Sequence, residues 1–405
     1  MVQRYKIGIV RETKTPPDRR VALPPNQARE LTTRYSALEI AIQPSSIRCF
    51  SDEEYARIGI KLQEDLSDCD LLIGIKETKI PTIIPGKTYM EFAHVAKKQP
   101  HNRPLIQAFA DQGNTLIDYE YLTDDKGNRL IAFGHWAGIV GAYNAIRALY
   151  IKEDLPELKP AHQMHDYKEM QEVLKGLKVI PKRFVITGGG RVAGGAMEVL
   201  AQAGVKEVTP DEFLKGQFDY PVYCRLDPWH YAKRKDGKPF DWSYWLSNPA
   251  DHDTAFIPFT SATDILIACH YWDYRSPHFF SREDMLNNSF RISIIADVSC
   301  DIPGPIPSTI KASTIADPFF DYNPKTDMEE PPFSSKGNVT VMSIDNLPGE
   351  LPRDASEFFG NILIEKIIPH IVTGDKEGII ERATILKNGK LTGKFSYLSD
   401  YLKGE

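Results

Sequence analysis

Four charged side chains follow apolar runs that are typical of buried strands in the first third of the chain. They are Arg20 after "YKIGIV", Lys76 after "DLLIGI", His94 after "YMEFA" and Glu120 after "TLIDY". Because parallel strands end at one edge of a sheet, where α/β proteins bind ligands, we expect these side chains to lie close together. A desolvated lysine and a histidine can both carry protons, and a guanidinium suits a carboxylate. The pattern predicts acid–base chemistry on a ligand with carboxylate groups.

Each of these residues also has a structural interpretation when it is taken alone. Lys14, Arg19 and Arg20 in "RETKTPPDRRVALPP" fit a solvated loop. Lys76 fits a lysine that extends to water, and His94 fits a core histidine equally well. Their common position after successive strands is what favours a site.

A glycine-rich turn lies almost halfway along the chain, in "RFVITGGGRVAGGAMEVLAQAG". An apolar run precedes it and a helical pattern follows, so Gly188, Gly189, Gly190, Arg191 and Val192 open a strand–turn–helix unit. The turn fits G-x-G-x-x-A, in which glycines let the backbone approach a pyrophosphate at the helix N-terminus. The segment therefore predicts a dinucleotide site.

The sequence leaves NAD and NADP open as the dinucleotide. The next predicted strand, "KEVTP", ends at Thr209, where NAD-binding proteins often place an acid. Asp211 and Glu212 lie just beyond, and they either serve in that role or begin the next helix.

The alternation of apolar runs with helical patterns predicts an α/β protein with mainly parallel sheets covered by helices. A chain of 405 residues is long enough for two domains. We predict a first domain over residues 1–135, a dinucleotide-binding domain over 136–342 and a C-terminal segment over 343–405.

Composition and charge exclude several classes of partner. Apolar residues make up 42% and charged residues 26%, and the formal net charge is −6, without a long basic block. This argues against nucleic acid or an anionic membrane as the main partner. The N-terminus has no apolar run of signal-peptide length, which predicts a cytoplasmic protein. The five cysteines form no C-x-x-C pair, so we expect no metal site.

Several longer motifs carry a resemblance to a known family. "RRVALPP", "IGIKE", "FAH", "FGHWAGIVGA" and above all "SIDNLPGELPRDASEFFG" together resemble the L-lysine-forming saccharopine dehydrogenases of the alanine dehydrogenase and transhydrogenase superfamily. The chain is most similar to the lysine–2-oxoglutarate reductase half of the bifunctional lysine-degrading enzyme. This resemblance implies two Rossmann-like domains with an interdomain cleft, of which the first is the substrate domain. The resemblance implies as well that the C-terminal segment returns to complete the first domain. It also implies NAD or NADP as cofactor, and interconversion of saccharopine with L-lysine and 2-oxoglutarate through an imine.

The resemblance also implies roles for individual residues. Lys76 and His94 match the acid–base pair of the family, and Glu77 and Glu120 match carboxylates that tune it. Lys14 and Arg20 match cations that hold substrate carboxylates, and Asp345 matches an acid near the nicotinamide. The expected partners are a small amino acid and a 2-oxo acid, and the oligomeric state stays open.

Two other functions remain in view from the sequence. "RVALPP" and "GIKE" occur across the superfamily, so the alternative is an alanine dehydrogenase or another imine-reducing amino-acid dehydrogenase. A nucleotide-binding protein without catalysis is disfavoured, since Lys76 and His94 are both present.

Overall fold

The structure, a computed structural model, describes residues 4–404. Within this range the chain forms two compact units. The first unit combines the chain up to Phe133 with the chain from Pro352, and the second unit comprises Gly134–Leu351. The predicted domain boundaries at residues 135 and 342 stay predictions. The assignment of substrate and nucleotide to separate domains, and the cleft, stay predictions.

The N-terminal part of the first unit alternates strands and helices, as the sequence pattern predicted. Its elements are β1 (Tyr5–Ile9), α1 (Pro25–Arg34), β2 (Leu38–Ile42), α2 (Asp52–Arg57), β3 (Lys61–Leu62), β4 (Leu71–Ile73), β5 (Thr88–Glu91), α3 (Arg103–Asp111) and β6 (Thr115–Asp118).

The second unit begins with a long helix and continues through a second sheet. Its elements are α4 (Gly134–Lys152), α5 (Tyr167–Gly176), β7 (Arg183–Thr187), α6 (Arg191–Gln202), β8 (Lys206–Glu207), α7 (Pro210–Lys215), β9 (Val222–Leu226), α8 (Pro228–Tyr231), β10 (Ala232–Arg234), α9 (Trp242–Ser247), β11 (His252–Thr254), α10 (Ile257–Thr260), β12 (Ile265–Ala268), α11 (Arg282–Met285), β13 (Ile294–Asp297), β14 (Phe320–Asn323), β15 (Met328–Glu330) and β16 (Val339–Met342).

The C-terminal part returns to the first unit. Its elements are α12 (Pro352–Ile362), a π-helical turn (Leu363–Ile367), α13 (Ile368–Thr373), α14 (Ile379–Ala383), β17 (Thr384–Lys387), β18 (Lys390–Leu391) and α15 (Ser399–Lys403). Strands β17 and β18 form a hairpin, and Asn388 and Gly389 at its turn both have the positive φ that a tight hairpin turn requires.

The sheet of the first unit has the strand order β18-β17-β6-β5-β4-β1-β2-β3. Strands β1 to β6 pair in parallel, and β17 pairs with β6 in antiparallel fashion. The carboxyl ends of β1, β4, β5 and β6 therefore lie side by side along one edge. The residues of β4 are fully buried because elements cover both faces of the sheet.

The sheet of the second unit has the strand order β15-β14-β16-β13-β12-β7-β9-β8, so β7 lies between β12 and β9. Helices α4 and α6 cross very closely at two glycines. A β-carbon on Gly138 would lie 1.8 Å from the carbonyl oxygen of Val192, and one on Gly195 would lie 2.1 Å from that of His135. Only glycine permits these approaches, which fix the helix that follows the glycine turn.

Two negative findings apply to residues 4–404. No helix there is both long and apolar enough to span a membrane. No group of three or more His, Cys, Asp or Glu side chains there is arranged to hold a metal ion.

Candidate active site and nucleotide site

Lys76 lies just past the end of β4, and a carboxylate from the neighbouring strand fixes its backbone. Glu12, which follows β1, accepts hydrogen bonds from the backbone N–H of Ile75 at 2.6 Å and of Lys76 at 3.0 Å. Burial raises the pKa of Glu12 to about 7, although these hydrogen bonds oppose the shift. The sequence analysis missed Glu12, and its position directly after β1 was the signal that would have found it.

Glu77, next to Lys76, pairs with His94 across the edge of the sheet. His94 Nδ1 and Glu77 Oε1 are 2.6 Å apart, and Lys14 Nζ lies 3.7 Å from Glu77 Oε2. Burial raises the pKa of Glu77, but the hydrogen bond and charge of His94 outweigh it and hold this pKa at about 2. Because the carboxylate is ionised, His94 Nδ1 must be the donor, which leaves Nε2 as the atom that can exchange a proton.

The backbone of His94 has an unusual conformation that aims its side chain. Its φ is 53°, in the left-handed region that few residues other than glycine adopt. Its ring stacks on Phe92, and its carbonyl oxygen accepts a hydrogen bond from Asn102. Strained backbone of this kind occurs often at functional sites.

A buried ion pair next to Lys76 shapes its charge environment. Arg20 donates from Nε and Nη2 to the carboxylate of Asp18, at 3.0 and 2.6 Å, and its guanidinium lies 4.2 Å from the ring centroid of Phe133. Arg20 is only 3% exposed. Burial lowers the pKa of Lys76, and the positive charges of Arg20 and Lys14 lower it further. The structure thus favours the neutral form of Lys76 more than water does for an exposed lysine.

Glu120 occupies the same edge, after β6. Its carboxylate lies 3.5 Å from Lys97 Nζ and 3.6 Å from Arg129 Nη1. Its backbone N–H donates to Asp118, whose pKa burial raises to about 6. Glu120 therefore belongs to a patch of alternating charges beside the Glu77–His94 pair.

The glycine turn of the second unit is tightly packed at one glycine and open at another. Gly188 has φ of 92°, and a β-carbon there would lie 2.8 Å from the carbonyl oxygen of Cys269. Gly190 is the N-cap of α6 and makes no side-chain capping hydrogen bond, and a β-carbon on it would meet no atom within 4 Å. Arg191 and Val192 begin α6, so their amides belong to a helix N-terminus, which fits an anionic ligand.

Two other residues predicted near the dinucleotide lie elsewhere along the sheet. Asp345 follows β16, which β13 and β12 separate from β7. Thr209 is the N-cap of α7 and forms a capping box with Glu212. Of the two roles open for Asp211 and Glu212, the structure therefore shows the beginning of a helix.

The site residues thus fall into two groups. The structure brings Lys14, Glu77 and His94 into contact, and places Lys76, Arg20 and Glu120 along the same edge of the first sheet. The glycine turn lies in the second unit. Besides Glu12, the sequence analysis missed Glu91, a buried acid that accepts hydrogen bonds from Thr78. It ends an apolar strand, where nothing distinguished it from a surface acid.

Sequence comparison relates the chain to enzymes of lysine metabolism. α-Aminoadipic semialdehyde synthase of Arabidopsis thaliana is 30% identical, over 97% of this chain and 41% of that protein. The mitochondrial α-aminoadipic semialdehyde synthase of Rattus norvegicus is 28% identical, over 94% of this chain and 46% of that protein. The chain thus spans less than half the length of these relatives. Saccharopine dehydrogenase [NAD(+), L-lysine-forming] of Emericella nidulans is 27% identical, over 90% of this chain and 91% of that protein.

Structure and family comparisons agree with this relationship. An L-alanine dehydrogenase has a TM-score of 0.68 at 17% identity, covering 98% of this chain and 99% of its own. A transhydrogenase from Sinorhizobium meliloti has a TM-score of 0.62 at 14% identity, covering 96% and 100%. These likenesses confirm the predicted α/β fold. Residues 8–140 match the family described as alanine dehydrogenase/PNT, N-terminal domain. The chain is therefore similar, over nearly its whole length, to the L-lysine-forming saccharopine dehydrogenases, as its motifs predicted.

Proposed function

We propose that the protein is an NAD(P)-dependent oxidoreductase that interconverts saccharopine with L-lysine and 2-oxoglutarate through an imine. The observation that carries this proposal is the position of Lys76, whose pKa is lowered, beside the Glu77–His94 pair. The relatives that match this chain over most of their own length are named as saccharopine dehydrogenases. These features support an enzyme that acts on a CH–NH bond.

Lys76 and His94 can carry the proton transfers of this reaction. A secondary amine must lose its proton before its carbon is oxidised, and the neutral form of Lys76 Nζ, which the lowered pKa favours, accepts that proton. Water then adds to the imine, and the carbinolamine collapses to a primary amine and a 2-oxo acid. His94 Nε2 moves the protons of these steps, while Glu77 holds the ring through Nδ1.

Cationic side chains of the first unit can bind the carboxylates of the substrate. Saccharopine and 2-oxoglutarate carry several carboxylates, and Lys14, with 39% of its side chain exposed, is placed to bind one of them. The carboxylate of Asp18 already accepts from Arg20. We therefore propose that Arg20 acts mainly through its charge, which lowers the pKa of Lys76.

The glycine turn is the proposed cofactor site. Gly188, Gly189 and Gly190 give the backbone room, and the amides of Arg191 and Val192 bind the pyrophosphate. The bound nicotinamide supplies the acceptor for a hydride from the substrate carbon. Asp345 remains a proposed neighbour of the nicotinamide, and the cytoplasmic location remains part of the same proposal.

An absorbance assay of reduced-cofactor consumption tests the function. Lysine with 2-oxoglutarate is compared with ammonia and pyruvate, each with NADH and with NADPH. We expect consumption with the lysine pair only. Consumption with ammonia and pyruvate alone would place the protein with the alanine dehydrogenases instead. No consumption with either pair would contradict the proposed substrate.

Two variants then test the proposed acid–base pair. Lys76→Met and His94→Gln should each lower kcat by roughly a hundredfold or more, since a positioned acid or base contributes that much. Lys79→Met and His101→Gln are matched controls, because both residues are exposed, and we expect them to retain activity. Full turnover by a Lys76→Met, His94→Gln double variant would contradict the mechanism.

A further inference from the structure

The strand order of the second unit places an unexpected strand beside the glycine turn. Along the chain, β8 is the first strand after the turn, but it pairs with β9 and lies at the edge of the sheet. The later strand β9 pairs with β7 over five residues, and Leu226 lies opposite Thr187. The residues that follow these two, Asp227 and Gly188, therefore lie side by side at the carboxyl edge.

The carboxylate of Asp227 lies directly against the turn. A β-carbon on Gly189 would lie 2.5 Å from Asp227 Oδ1 and 3.1 Å from Arg225 Nη1. Arg225 donates from Nη2 to Asp227 Oδ2 at 2.9 Å, and the backbone N–H of Asp227 donates to His230 Nδ1 at 3.0 Å. Asp227 is 7% exposed. These contacts hold an acid in a fixed place next to the dinucleotide turn.

The acids that sequence position favoured are engaged elsewhere. Asp211 pairs with Lys215, four residues later on the same helix, and both side chains are more than 70% exposed. Glu212 closes the capping box of that helix. Both follow β8, which β9 separates from β7. Neither lies next to the strand that leads into the turn.

We propose that Asp227 binds the 2′-hydroxyl of the adenosine ribose and makes the protein prefer NAD(H) to NADP(H). In dinucleotide-binding sheets an acid after the strand next to the turn accepts this hydroxyl. In this chain that strand is β9 and not the next strand in sequence. The inference rests on the proposed function, because it presupposes that the turn binds a dinucleotide.

Charge explains the expected preference. A 2′-phosphate would bring about two negative charges against an enclosed carboxylate, and like charges at such close range disfavour each other. Arg225 is the group that would otherwise bind this phosphate. Its guanidinium already donates to Asp227, so it offsets the carboxylate and leaves little attraction for a second anion.

Direct binding tests this assignment without turnover. The full-length protein is titrated with NADH and with NADPH, and the fluorescence of the reduced nicotinamide is followed. We expect the wild type to bind NADH at least about tenfold more tightly, the ratio that a hydrogen bond to a charged group supplies. In Asp227→Ser the ratio should fall below about threefold or reverse, because Arg225 is then released.

Matched variants distinguish the effect of the Asp227 carboxylate from a general disturbance of the fold. Asp211→Ser makes the same change at the acid on α7, and it should leave the ratio unchanged. Asp227→Asn keeps the shape and removes the charge, so it should also weaken the preference. In an Asp227→Ser, Arg225→Gln double variant, NADPH should bind more weakly than in Asp227→Ser alone.

The outcomes distinguish this inference from the proposed function. A wild type that prefers NADPH, or an Asp227→Ser variant with an unchanged ratio, overturns the role of Asp227 and leaves the dehydrogenase proposal intact. A change of ratio in Asp211→Ser as large as in Asp227→Ser also overturns it. A wild type that binds neither nucleotide overturns both proposals together.

Discussion

The buried acid Glu91 should make the stability of the protein fall as the pH rises, and Glu91→Gln should remove this effect. Glu91 is 1% exposed at the end of β5, and it accepts hydrogen bonds from the backbone N–H of Thr78 at 3.1 Å and from its hydroxyl at 2.5 Å. Glutamine has nearly the same shape and can exchange hydrogen bonds with both groups. The substitution therefore removes the ionisation with little change in packing.

The expected size follows from the pKa of this carboxyl. Burial raises the pKa of Glu91 from 4.5 to about 8, although Thr78 opposes the shift. Because the folded-state pKa is the higher one, stability is complete below pH 4.5 and is lost as the pH rises through 8. The interval from 4.5 to about 8, at roughly 1.4 kcal/mol per pH unit, corresponds to about 5 kcal/mol of unfolding free energy.

Urea unfolding at several pH values between 5 and 8 measures this effect. Glu12, whose pKa burial raises to about 7, titrates in both proteins, so the difference between wild type and variant isolates Glu91. We expect free energies of unfolding that agree within about 1 kcal/mol at pH 5 and a more stable variant at pH 8. Glu377→Gln, at an exposed position, is the control. If the pH dependences of wild type and Glu91→Gln run parallel to within about 1 kcal/mol, the reasoning about the buried acid is wrong.

Two more substitutions test the neighbourhood of Lys76 and the support of the glycine turn. Lys14→Gln removes a charge that lowers the pKa of Lys76. The limb of the pH profile of kcat/KM that reports Lys76 should therefore move to higher pH by roughly half a unit. Lys79→Gln, the control, should not move this limb. Gly138→Ala places a β-carbon 1.8 Å from a carbonyl oxygen of α6, so thermal unfolding should show a loss of about 2 kcal/mol or more in the free energy of unfolding. In Gly176→Ala the β-carbon meets no atom within 4 Å, and stability should not change. Equal losses in the two variants would contradict the packing argument.

Local patterns predicted much of the fold. Ser51 and Glu54 have capping-box spacing, and the structure shows both hydrogen bonds of that box. The strand–turn–helix at the glycines also lies where the sequence pattern placed it. Such features depend on residues within a few positions of each other, so one sequence contains the information they need.

The charged edge of the first sheet was predictable for a different reason. The contact between Glu77 and His94 joins residues 17 positions apart in sequence, and neither periodicity nor propensity refers to such a pair. It followed from a topological rule, because successive parallel strands end at the same edge. The rule placed the side chains but not their partners. It did not reveal that Arg20 is enclosed with Asp18, since a buried ion pair and a solvated loop have the same composition.

The sequence did not predict the strand order of the second sheet, and this order decides which acid lies beside the glycine turn. Consecutive strands usually pair, so β8 was expected beside β7, and Asp211 was then a candidate for the ribose. With only two residues, β8 has little to pair, whereas β9 has five residues, four of them buried. A short strand at the edge and a longer one beside β7 bury more apolar surface than the reverse order. The acid next to the glycine turn is therefore selected by the packing of the sheet, and Asp227, far from the glycine motif in sequence, occupies that place.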